Sequence, residues 1–216
     1  SLGYEFLKKF DMLGKITLKI NSLGDTHSRV NYRKVLIEYL NDYRSKLSED
    51  SIKRLSENPL RILDSKNAVD QKILIDAPNV LDYLNEKSRE RFENVCEGLN
   101  VLKIKYEIDK NLVRGLDYYC HTAFEFITDQ LGAQGTVLAG GRYDGLSKML
   151  GGVEVPGVGW AAGVERLALM VQSEYINSPD IVLMAQTQVY NHLLLPIMND
   201  LINQGFKVEI IYTGNM

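Results

Sequence analysis

Glycine is concentrated in one part of the chain, and this restricts the fold more than any other feature of the sequence. Ten of the 17 glycines lie between Gly132 and Gly163, where they separate the short β-type runs TAFEFIT, GTVLAG and VGWAAG. Glycine weakens a strand, and it is found there mainly where another backbone or a ligand comes close. Residues 106–178 are therefore predicted to form strands packed tightly against a neighbouring strand or a bound molecule.

The region before these strands has a different character. Residues 1–22 predict a helix and then a half-buried strand, because Ile16, Leu18 and Ile20 alternate with polar residues. Residues 23–105 carry 15 Lys and Arg against 14 Asp and Glu, with apolar residues at helical spacing. We expect a charged, largely helical block over this range.

Balanced charge in such a block is usually that of solvated helix faces. The alternative is contact with a polyanion through local basic clusters, which the sequence alone does not separate from the first reading. These clusters are Arg29, Arg33 and Lys34, and Lys53 and Arg54.

The region after the glycine-rich strands predicts a βαβ unit. Residues 179–216 contain the strand PDIVLMA, a helix ended by Gly205, and the strand KVEIIYTG. One βαβ unit does not cover both faces of a parallel sheet, so a small α/β domain is expected to begin here. The whole chain is expected to be of the α+β class.

Composition excludes several classes of function. A net charge of -3 gives no overall basic field for nucleic acid, and no apolar run reaches the length of a membrane span. Cys96 and Cys120 have no metal-ligand spacing, and the three histidines are scattered. We expect a soluble cytoplasmic protein with no metal site.

Two glycine-rich motifs and the segment that follows them hold the residues suited to a small anionic or polar ligand. The motifs are LVRGLDYY (112–119) and LAGGRYDGL (138–146), and PGVGWAAGVERLALMV (156–171) follows. Arginine matches carboxylate or phosphate with a planar fork, and tyrosine hydroxyls donate or accept. The ordinary alternative is an ion pair with a nearby acid such as Asp117 or Asp144, and core packing of the tyrosines. The residues concerned are Arg114, Arg142, Arg166, Tyr118, Tyr119 and Tyr143.

The last of these segments also satisfies a loose dinucleotide fingerprint at Gly157, Gly159 and Ala162. Pro156 interrupts any strand that would lead into such a turn. We therefore interpret residues 155–163 as a strand, followed by a helix from Val164. This places Glu165 and Arg166 at a helix N-terminus, where anions are favoured.

These motifs resemble those of a known family. LVRGLDYY with TAFEF after it, AGGRYDGL, and GVGWAAGVERL look like the two histidine-specific motifs and the third class II motif of histidyl-tRNA synthetase, in that family's order and spacing. The resemblance extends over NSLGD, NPLRILDSKN and DAPNVLDYL, so it covers nearly the whole chain.

The resemblance implies a class II synthetase core with an antiparallel sheet, formed by residues 1–22 and 106–178. It implies that residues 23–105 are a helical insertion that contacts the tRNA acceptor arm, and that residues 179–216 begin an α/β anticodon-binding domain. The implied reaction is ATP-dependent ligation of histidine to tRNA(His) through histidyl-adenylate, with ATP and Mg²⁺ as the substrate complex. The family also implies a homodimer.

The matching motifs imply a role for each site residue. Arg114 is implied to be the catalytic cation and to contact the histidine carboxylate and the α-phosphate. Histidine-binding residues are implied to be Arg114, Tyr118, Tyr119, Tyr143, Gly140 and Gly141. ATP-binding residues are implied to be Arg166, Glu165 and Gly163.

The sequence departs from the family because the first two class II motifs are missing from it. We therefore expect a synthetase fragment that is inactive alone. The alternative is a catalytically inactive paralogue with a regulatory role, binding histidine or a partner. Such paralogues generally lack the tRNA-contacting insertion, so its presence favours the enzyme.

Overall fold

The computed structural model describes residues 1–132, 135–171 and 178–212. The chain divides into two compact units, residues 1–171 and residues 172–216. The boundary that the sequence predicts, after residue 178, lies beside residues 172–177, which are outside the described residues. Each unit is considered by itself.

A five-stranded sheet organises the first unit, with the strand order β2-β1-β3-β4-β5. All neighbouring strands are antiparallel except β1 and β2, which are parallel. The predicted alternation and the three glycine-separated runs thus become paired strands. The strands are β1 (Thr17–Ser22), β2 (Glu107–Ile108), β3 (Cys120–Ile127), β4 (Thr136–Arg142) and β5 (Val158–Ala162).

The two faces of this sheet differ because successive strand residues point to opposite sides. Leu18 pairs with Phe126, and both lie in the main apolar core with Leu7 of helix α1 (Leu2–Lys9). Lys19 pairs with Glu125 on the opposite face. The sheet therefore has one apolar face buried against helices and one polar face that remains for a site.

Residues 23–105 contain helices and short 3₁₀ turns, with a second apolar core of their own around Tyr32, Leu36 and Leu40. Each long helix begins at a residue whose side chain accepts a backbone N–H, as favoured N-caps do. These caps are Asp25, Ser48, Asn67 and Asn85. The helices are α2 (Thr26–Asp42), α3 (Glu49–Glu57), α4 (Ala68–Leu74) and α5 (Glu86–Val101).

Two shorter helices follow in the first unit, α6 (Leu146–Met149) and α7 (Val164–Met170). Helix α7 starts directly after β5, as the sequence predicts, and its Leu167 and Met170 pack into the main core. The strand interpretation is confirmed for Val158–Ala162 by the pairing of β5 with β4, whereas residues 155–157 and Gly163 lie outside the strand.

The second unit is the predicted βαβ unit. Strands β6 (Ile181–Met184) and β7 (Val208–Ile211) are parallel, with helix α8 (Asn191–Asn203) between them. Gly205 follows α8 with a φ of 93°, a left-handed conformation that glycine adopts readily after a helix. Within the described part of the chain, no helix is both long and apolar enough to cross a membrane.

A buried carboxylate ties the helical block together. Asp70 is fully buried and accepts hydrogen bonds from the hydroxyls of Ser48, Ser51 and Ser65 at 2.6–2.7 Å, and from the backbone N–H of Ser48 at 2.9 Å. Burial acts to raise the pKa of Asp70, but these hydrogen bonds outweigh it and lower the pKa below its ordinary value.

Asp70→Asn is expected to lower the free energy of unfolding by about 2–4 kcal/mol, because it leaves buried hydroxyls without a charged acceptor. Folding lowers this pKa, so the carboxylate's contribution is complete above the ordinary value of 3.8 and is lost as the pH falls through the folded value. Chemical denaturation at several pH values measures both effects.

The control is Asp64→Asn, an exposed carboxylate in the same block, for which we expect a loss of about 0–1 kcal/mol. Equal losses for the two variants, or a difference that does not shrink in acid, would contradict the role assigned to Asp70.

Candidate functional site

A loop that leads into β3 brings the first site residues to the polar face of the sheet. The amide of Asn21, which is buried in β1, donates to the carbonyls of Lys110 and Leu112 at 3.3 and 3.0 Å. Leu112 is itself buried. These contacts fix the backbone just before Arg114, which restricts the position of the Arg114 side chain.

Arg114 is held by a carboxylate across the sheet. Its Nη1 lies 2.5 Å from Oε1 of Glu125 on β3, and Oε2 of Glu125 accepts from the hydroxyl of Thr136 on β4 at 3.1 Å. Asp117 and Asp144 are the acids that the sequence suggests as ion-pair partners, and for Arg114 this suggestion is wrong. In TAFEFIT, the strand alternation places Glu125 on the other face of the sheet from Phe124 and Phe126. This alternation is the sequence signal that could have identified Glu125 as the partner of Arg114.

The guanidinium of Arg114 has a second neighbour and an unused donor. Its central carbon lies 5.4 Å from the centroid of the Tyr119 ring, within the range of a cation–π interaction. Its Nε is buried without a hydrogen-bond partner among the described residues. Arg114 is thus oriented by two groups while retaining capacity to donate to a ligand.

The three tyrosines singled out in the sequence lie together. The rings of Tyr118 and Tyr119 are 4.6 Å apart, and Tyr143 stands edge-on to them at 5.9 and 6.0 Å. A hydrogen bond with Tyr119, together with burial, raises the pKa of Tyr118 above its ordinary value. The cluster offers hydroxyl donors and acceptors next to aromatic faces.

Glycines let these rings lie directly on the strands. A Cβ on Gly141 would come within 2.9 Å of the Tyr119 ring, and one on Gly157 or Gly159 would come within 2.6 Å or 2.4 Å of Tyr143. Gly157 and Gly159 therefore support a tyrosine rather than a dinucleotide phosphate. Close ring and strand contacts explain part of the glycine concentration in the sequence, although a Cβ on Gly132, Gly145 or Gly151 would meet nothing within 4 Å.

Gly140 is placed differently from Gly141. A Cβ on Gly140 would meet the carbonyl oxygen of Gly159 and the backbone of Trp160, both on β5. Gly140 thus permits close pairing of β4 and β5. The role in histidine binding that the family resemblance implies for Gly140 stays a prediction.

A cavity of about 710 Å³ is lined by Arg114 and by the remaining predicted residues. Nη1 of Arg166 donates to the carbonyl of Thr136, which fixes the direction of that side chain. Arg114 both lines the cavity and stacks on Tyr119, so it joins the two parts of the site. The polar and charged residues that line the cavity are Arg114, Glu125, Thr136, Glu165 and Arg166, and Gly163 lies among them.

A larger cavity of about 1160 Å³ lies beside β2. Its charged side chains are Lys103, Lys105 and Glu107, and its described lining includes no arginine. The smaller cavity is the better candidate site, because two arginines and the predicted residues Gly163 and Glu165 line it.

The third arginine of the sequence motif belongs to a different network. Nε of Arg142 lies 2.8 Å from Asp144, and Arg91 of α5 approaches the same carboxylate at 3.8 Å. Asp144 also accepts from the backbone N–H of Gly157 at 3.2 Å. The ion-pair alternative is thus confirmed for Arg142 and Asp144.

The fold also brings together three possible metal ligands that their sequence spacing does not suggest. In the described part of the chain, ligand atoms of Cys120, His121 and Asp144 lie within 4.8 Å of one another. The guanidinium groups of Arg142 and Arg91 face the same carboxylate, and their charge opposes a cation there. We therefore interpret Asp144 as a structural ion-pair residue.

Comparison with known proteins supplies the family. The family model described as histidyl-tRNA synthetase matches residues 33–167, which is more than half of the chain. The chain belongs to the histidyl-tRNA synthetase family. The match includes the Arg114 loop, the three tyrosines and Arg166.

Individual relatives agree with this family. A histidine–tRNA ligase of Rhodospirillum rubrum is 48% identical over 217 residues, covering 100% of this chain and 52% of its own length. One from Rickettsia bellii is 54% identical over 170 residues, covering 78% of this chain and 41% of its own length. This histidyl-tRNA synthetase family chain thus spans about half the length of the curated relatives it matches.

Structural comparison confirms the predicted fold class. The crystal structure of apo S. aureus histidyl-tRNA synthetase matches with a TM-score of 0.64 and 30% sequence identity, over 100% of this chain and 55% of that chain. The mixed α+β fold with an antiparallel-dominated sheet is therefore that of a class II synthetase.

Gly141→Ala is expected to lower the free energy of unfolding by about 1–3 kcal/mol, because the added methyl group overlaps the Tyr119 ring and the carbonyl of Thr122. Gly145→Ala is the matched control, since a Cβ there meets nothing within 4 Å. Denaturant unfolding compares the two, and near-ultraviolet circular dichroism reports the tyrosine environment. A similar stability for both variants would show that Tyr119 does not rest on Gly141.

Proposed function

We propose that the whole protein ligates histidine to tRNA(His). Histidine and ATP form histidyl-adenylate and pyrophosphate, and the histidyl group then passes to a hydroxyl at the 3′ end of the tRNA with release of AMP. Family membership supports this proposal, as do the curated relatives that are named histidine–tRNA ligase.

The single observation that carries the proposal is the position of Arg114 between the tyrosine cluster and the cavity. When the carboxylate oxygen of histidine attacks the α-phosphorus of ATP, negative charge grows on the phosphate oxygens and pyrophosphate leaves. A preoriented guanidinium stabilises that charge in the transition state. Glu125 holds Arg114 in place before the substrates arrive, so little reorganisation is needed.

The tyrosine cluster suits the imidazole of histidine. Neutral imidazole has one donor and one acceptor nitrogen, and tyrosine hydroxyls can pair with either. A side chain without these groups would leave buried hydroxyls unpaired, which can cost about 10⁴- to 10⁵-fold in specificity. We assign histidine binding to Tyr118, Tyr119 and Tyr143, with Gly141 supporting Tyr119.

The cavity suits ATP with its Mg²⁺ ion. Arg166 is directed by its bond to Thr136 and is assigned to the phosphates. The exposed Glu165 supplies carboxylate oxygens, which are the ligand type that Mg²⁺ prefers. Gly163 precedes α7 and leaves room at its start.

Two further parts of the assignment stay predictions. The homodimer is expected of the family, and the 216-residue chain alone is expected to make no histidyl-adenylate. A whole protein that binds histidine but shows no histidine-dependent exchange of ATP with pyrophosphate would support the inactive paralogue instead.

Arg114→Ala in the whole protein is expected to lower the single-turnover rate of adenylate formation by about 10²- to 10³-fold, as loss of one transition-state donor does. Histidine affinity should weaken less. Arg44→Ala, an exposed arginine after α2, serves as the control. A rate for Arg114→Ala within about threefold of the parent would place Arg114 in a structural ion pair only.

We also propose that the helical block, residues 23–105, contacts the acceptor arm of the tRNA. Arg54, one of the predicted basic residues, is engaged within the block, because it pairs with Asp50 at 2.7 Å and donates to the carbonyl of Arg61. Arg33, Lys34 and Lys53 are exposed. We assign the phosphate contacts to these three.

Charge reversal of Arg33 and Lys34 together is expected to weaken tRNA binding nearly independently of base sequence, and to reduce the salt dependence by about two counterions. The same double change at Lys8 and Lys9 of α1, outside the block, is the control. Equal affinities and salt slopes for the two double variants would mean that this face of the block is only solvated.

A further inference from the structure

Arg29 is one of the cations that the sequence places in a basic surface cluster, but its side chain points into the protein. Its Nη1 donates to the carbonyl of Tyr119 at 2.6 Å and lies 3.2 Å from the carbonyl of Asp117. The residue is half-buried, whereas Arg33, one helical turn later on α2, is exposed. For Arg29, the solvated-cation interpretation is therefore wrong, while contact with a polyanion stays a prediction.

A second residue of the helical block holds the same loop. Asn58 follows α3 directly, and its side-chain amide donates to the carboxylate of Asp117 at 2.6 Å. Arg29 from α2 and Asn58 from the end of α3 thus bind the segment Asp117–Tyr119 at three oxygen atoms. This segment contains both tyrosines that pack against each other.

The loop needs such external support. Gly115, Leu116 and Asp117 are exposed, so little apolar packing restrains the residues before the tyrosines. Just after them, His121 has a φ of 50°, a left-handed conformation that costs energy for a non-glycine residue. Two backbone hydrogen bonds with Leu23 and Gly24, at 2.7 and 2.8 Å, hold His121 to the entry of α2.

The chemistry of Arg29 suits this task. A guanidinium presents several donors in a rigid plane, so one side chain can serve two carbonyls of neighbouring residues. A donor that carries a charge makes stronger hydrogen bonds to carbonyls than a neutral one. Because Arg29 bonds to the carbonyl of Tyr119, it acts on the backbone from which that ring extends.

We propose that Arg29 is a positioning residue for histidine binding, which sets the placement of the Tyr118 and Tyr119 rings from the helical block. This rests on the proposed function, in which these tyrosines bind histidine. The helical block then has a second role besides contact with tRNA, because it maintains the amino acid site.

Steady-state exchange of ATP with pyrophosphate by the whole protein tests this directly. Arg29→Met, which keeps an apolar stem without donors, is expected to raise the KM for histidine about tenfold and to leave the KM for ATP within about twofold. Arg29→Lys should recover part of the loss, because an ammonium group can donate to one carbonyl. Arg44→Met, an exposed arginine in the same block, should change neither constant.

A change in the KM for histidine without a change in the KM for ATP separates a positioning role from partial unfolding. A fraction of unfolded enzyme lowers the apparent kcat but does not change the KM for one substrate. An unchanged histidine KM in Arg29→Met would overturn the proposal. So would equal increases for both substrates. Weaker tRNA binding with an unchanged histidine KM would return Arg29 to the surface-cation role.

Hydrogen exchange gives a readout that does not depend on catalysis. In Arg29→Met, the amides of residues 114–121 should exchange faster while those of α2 and α5 keep their rates. Faster exchange across all helices would contradict a local role. If the parent protein shows no histidine-dependent exchange of pyrophosphate, the proposed function fails, and the amide rates still decide whether Arg29 holds the loop.

Discussion

The ion pair between Arg114 and Glu125 is the interaction on which the site depends. It connects a loop to the central strand of the sheet, and Thr136 on the next strand fixes the carboxylate in turn. Without this partner, the desolvation free energy of the partly buried guanidinium would not be compensated. With it, the cation lies beside both the Tyr119 ring and the cavity, and this is the position that the proposed function requires of one charge shared by histidine and ATP.

The helical block and the sheet cooperate to keep the loop in place. On the sheet side, the amide of Asn21 binds the carbonyls before Arg114, and on the block side Arg29 binds those after it. Some charged side chains of the block make contacts within the block itself, as the Arg54–Asp50 pair and the buried Asp70 show. The block is therefore a structural support of the site as well as a surface.

Local patterns predicted much of the fold. Alternation identified β1 and the strands between glycines, and the βαβ unit followed from two strands around one capped helix. The sequence motifs also named Arg114 and the three tyrosines, which the fold brings together. The motifs also suggested Arg142 as a ligand-binding arginine, but Arg142 forms an ion pair with Asp144, two residues later in the sequence. Glu125, Arg29 and Asp70 were missed as partners, since their contacts join residues whose proximity depends on strand pairing or helix packing.

In the proposed function, Arg114 and the tyrosine cluster together bind activated histidine. A crystal structure of the whole protein with a non-hydrolysable histidyl-adenylate analogue is the decisive test of this arrangement. We expect the imidazole to lie against Tyr118, Tyr119 and Tyr143, and Arg114 to donate to the phosphate-like group at hydrogen-bond distance, about 2.7–3.2 Å. An analogue bound elsewhere, or an Arg114 that contacts only Glu125 while the analogue occupies the cavity, would contradict it.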